Sequence, residues 1–148
     1  MTKPDTPSFA LLSMLIAGVF PAIARTGEVV DVYKTANCLC CGKWADHLRK
    51  AGFEVRTHNV LSLPAARKHF GVPDHVASCH SAKVAGYVVE GHVPVPDVLR
   101  LIKEKPEARG LAVPGMPIGS PGMEGRQASH FNTLLIKHDG GTEVFAKH

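Results

Sequence analysis

Cys38-Leu39-Cys40-Cys41 places three thiols within four residues, and a fourth, Cys79, lies far along the 148-residue chain. Thiols in this pattern support three chemistries. Cys38 and Cys41 make a Cys-x-x-Cys pair of the kind that cycles between dithiol and disulfide. The pair sits where a strand gives way to a helix, and helix N-terminal N–H groups stabilise thiolate. Alternatively, the four cysteines close two structural disulfides. Adjacent Cys40 and Cys41 are poorly suited to bridging each other, and a disulfide scaffold rarely crowds three cysteines so tightly. The third chemistry is capture of a soft metal, because thiolates select copper(I), zinc and iron–sulfur clusters.

Spacing narrows the metal. A structural zinc site uses two paired knuckles, and this chain has one. Four-cysteine iron–sulfur sites use other spacings. Gly42 follows Cys41 where covalent haem attachment needs histidine. One copper(I) among four thiolates would leave a large negative charge, costly in a partly buried site. Several copper(I) ions bridged by the same sulfurs cancel most of it. The metal candidates are therefore Cys38, Cys40, Cys41 and Cys79, with Cys38 and Cys41 also the redox candidates. His80, beside Cys79, is a candidate ligand or donor and equally reads as a plain surface histidine, and Met116 and Met123 offer soft thioethers that could equally be packing side chains. His92 reads as a structural histidine and His47 as a solvated one. No Ser-His-Asp arrangement, phosphate-cradling loop or carboxylate pair stands out.

The elements that must position these groups follow from periodicity. Residues 28–34 alternate and are β-branched, which predicts a strand. A helix is expected from Cys41 to Ala51, with Trp44 and Leu48 on one face and Gly52 as its stop. Residues 53–58 predict a second strand, parallel to the first in a βαβ unit. A short helix is expected from Pro64 to Phe70, then a loop from Val72 to Ser81, a strand near residues 87–93 and a helix opened by Pro96 and Asp97. Residues 110–125 are too rich in glycine and proline for regular structure. Asp139-Gly140 between two apolar runs predicts a closing hairpin.

Composition sets the frame. Apolar residues make up 45% and charged residues 20%, the balance of a globular α/β domain. The net charge of +4 is scattered along the chain, without the concentrated basic footprint of a nucleic-acid binder. Residues 1–24 read as a secretory signal peptide: an apolar run from Phe9 to Phe20, then Pro21 and Ala22-Ile23-Ala24. The run is too short to span a bilayer. The expected organisation is a signal peptide (1–24) and one exported domain (25–148), not membrane-spanning once cleaved.

Several longer motifs join the cysteines: Gly42-Lys43-Trp44 after the triple, Cys79-His80, Tyr87-Val88-Val89-Glu90-Gly91-His92-Val93-Pro94, and Gly110-Leu111-Ala112-Val113-Pro114-Gly115-Met116-Pro117 continuing to Glu124. With these the chain resembles the CopG-type family of exported copper-resistance proteins over nearly all of residues 25–148. The resemblance implies a thioredoxin-like domain in the periplasm, and the chain is expected to enlarge that domain by an insertion around residues 72–110. It also implies copper binding by Cys38, Cys40, Cys41 and Cys79, more than one copper(I) ion being expected, with other periplasmic copper-handling proteins as partners. A thioredoxin-type topology would place a cis-proline opposite the cysteines, and Pro114 or Pro117, ahead of the final hairpin, is the expected residue.

Overall fold

In the computed structural model, which describes residues 26–148, alternating β-branched residues build a first strand, β1 (Val29–Lys34), with Val30 and Val32 sealed into the core. Helix α1 (Leu39–Lys50) follows and buries Cys41, Trp44, Ala45 and Leu48 along one stripe. Gly52, at φ 93°, takes the left-handed conformation just past its end. Strand β2 (Glu54–Asn59) returns parallel to β1, from Val29 opposite Glu54 to Lys34 opposite Asn59, completing the expected βαβ unit. The Ser62 hydroxyl accepts the Ala65 N–H to start α2 (Leu63–Phe70), and left-handed Gly71 stops it.

A 3₁₀ turn at Asp74–Val76 leads to β3 (His80–Val84) and β4 (Tyr87–Glu90). Helix α3 (Val95–Glu104) has proline in its first turn, and β5 (Gly110–Ala112) follows it. The hairpin of β6 (Asn132–Ile136) and β7 (Thr142–Lys147) closes the chain as expected. The seven strands form one mixed sheet in the order β2-β1-β3-β4-β5-β6-β7. Val89 and Leu111 face a main core with Trp44, Leu48, Val98 and Leu101, whereas Val88 and Ala112 face a smaller cluster with Val76 and Ile136. Neighbouring strand positions thus feed opposite faces of the sheet. The described residues form a mixed α/β single domain with three α-helices.

Three expectations are corrected. The loop expected over 72–81 already enters a strand at His80, because the polar side chains of His80 and Ser81 are fully buried against partners on other elements and break the apolar alternation. Residues 72–110 are no insertion: they supply β3 and β4 at the centre of the sheet, and α3 over it. Among the described residues there is no cis peptide bond, so Pro114 and Pro117 are trans. The residue that precedes β1's antiparallel neighbour is Cys79. The expected signal peptide, residues 1–24, lies outside the described residues. Among those described, no helix is long and apolar enough to cross a membrane.

The registers define one functional edge. Lys34, at the end of β1, lies opposite both Asn59 and His80; Glu90 lies between Ser81 and Ala112. The cysteine triple, Cys79, His92 and the segment after β5 therefore all leave the sheet at the same edge.

Candidate metal centre

Helix α1 starts at Cys38 with no side chain capping its first turn, and with no acidic residue there. Three basic residues, His47, Arg49 and Lys50, sit in its last turn. Free N–H groups and the positive end of the helix dipole thus face the sulfurs. Cys41 is fully buried, while Cys38, Cys40 and Cys79 are half-buried. Cys79 reaches them because it immediately precedes His80, the partner of Lys34 at the end of β1.

The four sulfurs converge, all within 4.8 Å of one another. Cys38 and Cys41 are joined in a disulfide, with Cα atoms 5.4 Å apart, and Cys40 and Cys79 are free. Cys40 Sγ lies 3.5 Å from Cys38 Sγ and 3.7 Å from Cys79 Sγ, and Cys41 Sγ lies 3.6 Å from Cys79 Sγ. Burial and the neighbouring Cys40 push the Cys79 thiol up to about 12. Without a metal, Cys79 is therefore a protonated thiol at neutral pH.

Two buried imidazoles stand behind Cys79. His92 Nε2 is 2.9 Å from its sulfur, and His92 Nδ1 is 2.8 Å from the Pro121 carbonyl oxygen. That carbonyl can only accept, so Nδ1 carries the proton and Nε2 presents its lone pair to Cys79. His80 Nδ1 is 3.4 Å from the same sulfur, and its Nε2 is buried without a hydrogen-bond partner. Burial, then the adjacent His92, holds the His80 pKa down to about 3, and burial lowers that of His92 as well. The His80 ring packs 4.5 Å from Trp44, whose Nε1–H donates to the Val93 carbonyl over 2.8 Å.

A second layer fixes the backbone. The buried Glu90 carboxylate accepts the Ser78 N–H over 2.7 Å and the Ser81 hydroxyl, and Arg67 donates to the Ser78 carbonyl over 3.1 Å. Burial raises the Glu90 pKa, against the pull of those donors. On the other side, the glycine-rich segment lies over the start of α1. Gly122, at φ 88°, passes so close that a Cβ would fall 2.7 Å from the Cys40 carbonyl oxygen. Glu124 accepts the Gly122 N–H over 2.8 Å and pairs with His47 at 2.6 Å, clipping the segment to the helix.

All four candidate cysteines are thus together, and His80 touches Cys79. Met116 is 51% exposed, and Met123 is half-buried next to Gly122. His92, read from sequence as structural, proves to be a direct neighbour of the sulfurs. Its signal was present in Gly91-His92-Val93-Pro94 at the end of a strand, but nothing local tells that this end faces a cysteine. His47 is solvated as expected, with Glu124 as its partner.

Residues 76–123 match a family model described as "Protein of unknown function, DUF411". A comparison with curated proteins finds no match. Two solved structures, titled "Copper resistance protein copG- Form 2" and "Copper resistance protein copG- Form 1", are each 40% identical to this chain. The first covers 82% of this chain and 98% of its own with a TM-score of 0.78, the second 81% and 96% with 0.77. The chain belongs to the CopG copper-resistance family. The stretch matched by the family model holds Cys79, His80, His92 and both loop methionines but not the Cys-x-Cys-Cys triple. In this CopG-family chain the two halves of the sulfur cluster therefore come from separate sequence blocks, brought together by the pairing of β1 with β3.

Proposed function

We propose that this protein is an exported copper(I)-binding protein of copper homeostasis and resistance, which carries its copper as a polynuclear thiolate cluster on Cys38, Cys40, Cys41 and Cys79. One observation carries the reading: four sulfurs, one of them distant in sequence, share a site no wider than 4.8 Å between ligand atoms. Copper is the cargo. Soft thiolates favour the monovalent ion, and bridging several ions between the same sulfurs neutralises charge that a single ion would leave in a half-buried site. Met123, beside the Gly122 that touches Cys40, is the better placed of the two thioethers to serve as a reserve donor. Met116 stands at the exposed rim. The titles of the two related structures support copper as the metal. The β1-α1-β2 and β3-β4-α3 halves follow the order and strand directions of a thioredoxin-type core, which fits the family expectation. Export rests on the signal peptide read in residues 1–24, and other periplasmic copper-handling proteins are the fitting partners.

The cluster needs Cys38 and Cys41 as thiolates, so it forms after their disulfide is reduced. Anaerobic titration of the fully reduced protein with copper(I), with thiol and metal quantified, tests the reading. More than one tightly held copper per chain is expected, falling sharply in Cys40→Ser. A single ion, or none, would reject the cluster.

The Cys38–Cys41 disulfide favours a second reading, an oxidoreductase. Two thiols becoming a disulfide release two electrons and two protons. Two copper(II) ions taking one electron each would become copper(I), and a thiol reductant would restore the pair. Turnover of a mixed disulfide or of copper(II) that survives in Cys40→Ser but not in Cys38→Ser supports this reading.

A further inference from the structure

Closing the Cys38–Cys41 disulfide removes two of the four sulfur donors from the cluster, yet Cys79 keeps neighbours of a different kind. Cys79, His80 and His92 form a second set of ligand atoms, all within 4.8 Å of one another, which shares only Cys79 with the first. Around a tetrahedral ion with a metal–sulfur bond of about 2.3 Å and metal–nitrogen bonds of about 2.0–2.1 Å, sulfur and nitrogen stand about 3.6 Å apart. Here Cys79 Sγ lies 3.4 Å from His80 Nδ1 and 2.9 Å from His92 Nε2. A small opening of the pocket suffices.

Each ring is held as a ligand would be. His92 donates its other N–H to the Pro121 carbonyl, which fixes the tautomer and aims the Nε2 lone pair at the site. His80 is fully buried with Nδ1 towards Cys79, and its remaining nitrogen has no hydrogen-bond partner. The ring is thus not kept in place by a hydrogen bond at that end, and an apolar residue would fill the same space without leaving a polar atom unpaired. Trp44 and His92 pack against it and set its plane.

From this geometry we infer that Cys79, His80 and His92 form a distinct one-sulfur, two-nitrogen site for a single borderline divalent ion, available when the Cys38–Cys41 disulfide is closed. Two imidazoles and one thiolate are harder donors than four thiolates, so the set suits copper(II) or zinc(II) in place of copper(I). One thiolate also leaves a divalent ion cationic, not anionic. Three protein ligands with a fourth position open make an exchangeable site, where an ion can arrive and leave. Read with the proposed function, on which this contrast rests, the disulfide state selects between copper(I) on the four thiolates and a divalent ion on the Cys79, His80 and His92 set.

Cobalt(II) tests the site without redox chemistry, whereas copper(II) would oxidise the free thiols. The full chain, with its Cys38–Cys41 disulfide intact and no reductant present, is titrated anaerobically with cobalt(II) chloride alone. One cobalt per chain is expected, with a thiolate-to-cobalt charge-transfer band and tetrahedral ligand-field bands. His92→Gln and Cys79→Ser should each weaken binding at least tenfold, and Cys79→Ser should also abolish the charge-transfer band. Surface His138→Gln should change neither. If His92→Gln fails to fold, the answer rests on Cys79→Ser and His80→Gln. Zinc(II) should displace the cobalt and, alone, protect Cys79 from alkylation. Absence of cobalt binding, or binding indifferent to Cys79 and His92, overturns the inference. The copper(I) titration of the reduced protein, run beside it, separates the two readings: loss of the cobalt site with copper(I) uptake intact removes only this inference, and the converse removes only the cluster.

Discussion

His80 carries an unusual burden for one residue, a full imidazole sealed in the core beside a thiol of the candidate metal centre. Burial and the adjacent His92 hold its pKa at about 3, against 6.5 for the free side chain, so the folded protein binds fewer protons than the unfolded chain between those values. Its contribution to stability is complete above about pH 6.5 and is lost as pH falls towards 3. Glu90 acts in the opposite sense: burial raises its pKa, so its contribution is complete in acid and is lost as pH rises through the raised value. In the metal-free protein, stability measured by urea unfolding should therefore drop between about pH 6.5 and 4, with a slope from His80 of at most about 1.4 kcal/mol per pH unit. His80→Phe should flatten that slope, and an unchanged slope would assign it to other groups. At this scale the residue pattern gave warning of the thiols and of His80, since Cys79-His80 stand next to each other. It gave none of His92, because a histidine at a strand end carries no mark of which side chain it meets.

Among the elements, the glycine-rich segment shows how an irregular stretch becomes part of a site. Its composition announced the absence of regular structure; its docking came from Gly122 passing over the N-terminus of α1 and from Glu124 pairing with His47. Gly122→Ala combines an unfavourable left-handed φ of 88° with a Cβ set 2.7 Å from the Cys40 carbonyl. It should destabilise the protein by about 1–3 kcal/mol and speed alkylation of Cys40. Denaturant unfolding and thiol labelling check both, and equal labelling rates in variant and wild type would mean that the segment does not cover the sulfurs. The helices and outer strands were legible for ordinary reasons: Trp44 and Leu48 repeat at helical spacing, Gly52 and Gly71 end their helices, and Asp139-Gly140 turns a hairpin. Strand β3 was not, since His80 and Ser81 are buried for the sake of the site and its polar layer and so disguise a central strand as a loop.

For the whole molecule, the centre links two distant parts of the chain, so a metal cluster there should staple the fold. Reduced protein loaded with copper(I) should unfold at a higher temperature than the reduced metal-free form, with free copper(I) at about a hundredfold over its dissociation constant adding about 2.7 kcal/mol. A copper(I) chelator should reverse the gain; no shift on loading would show that the metal binds the unfolded chain as well. Local spacing alone determined that three thiols sit at a strand–helix junction, that the surrounding domain is α/β, and that soft-metal or disulfide chemistry is in reach. Such features depend on neighbours a few residues apart, where backbone periodicity rules. Tertiary structure alone decided that Cys79 joins the triple, that His92 faces it and that residues 72–110 form the middle of the sheet. Those facts follow from the antiparallel register of β3 against β1, a pairing set by how both faces of the sheet are buried at once.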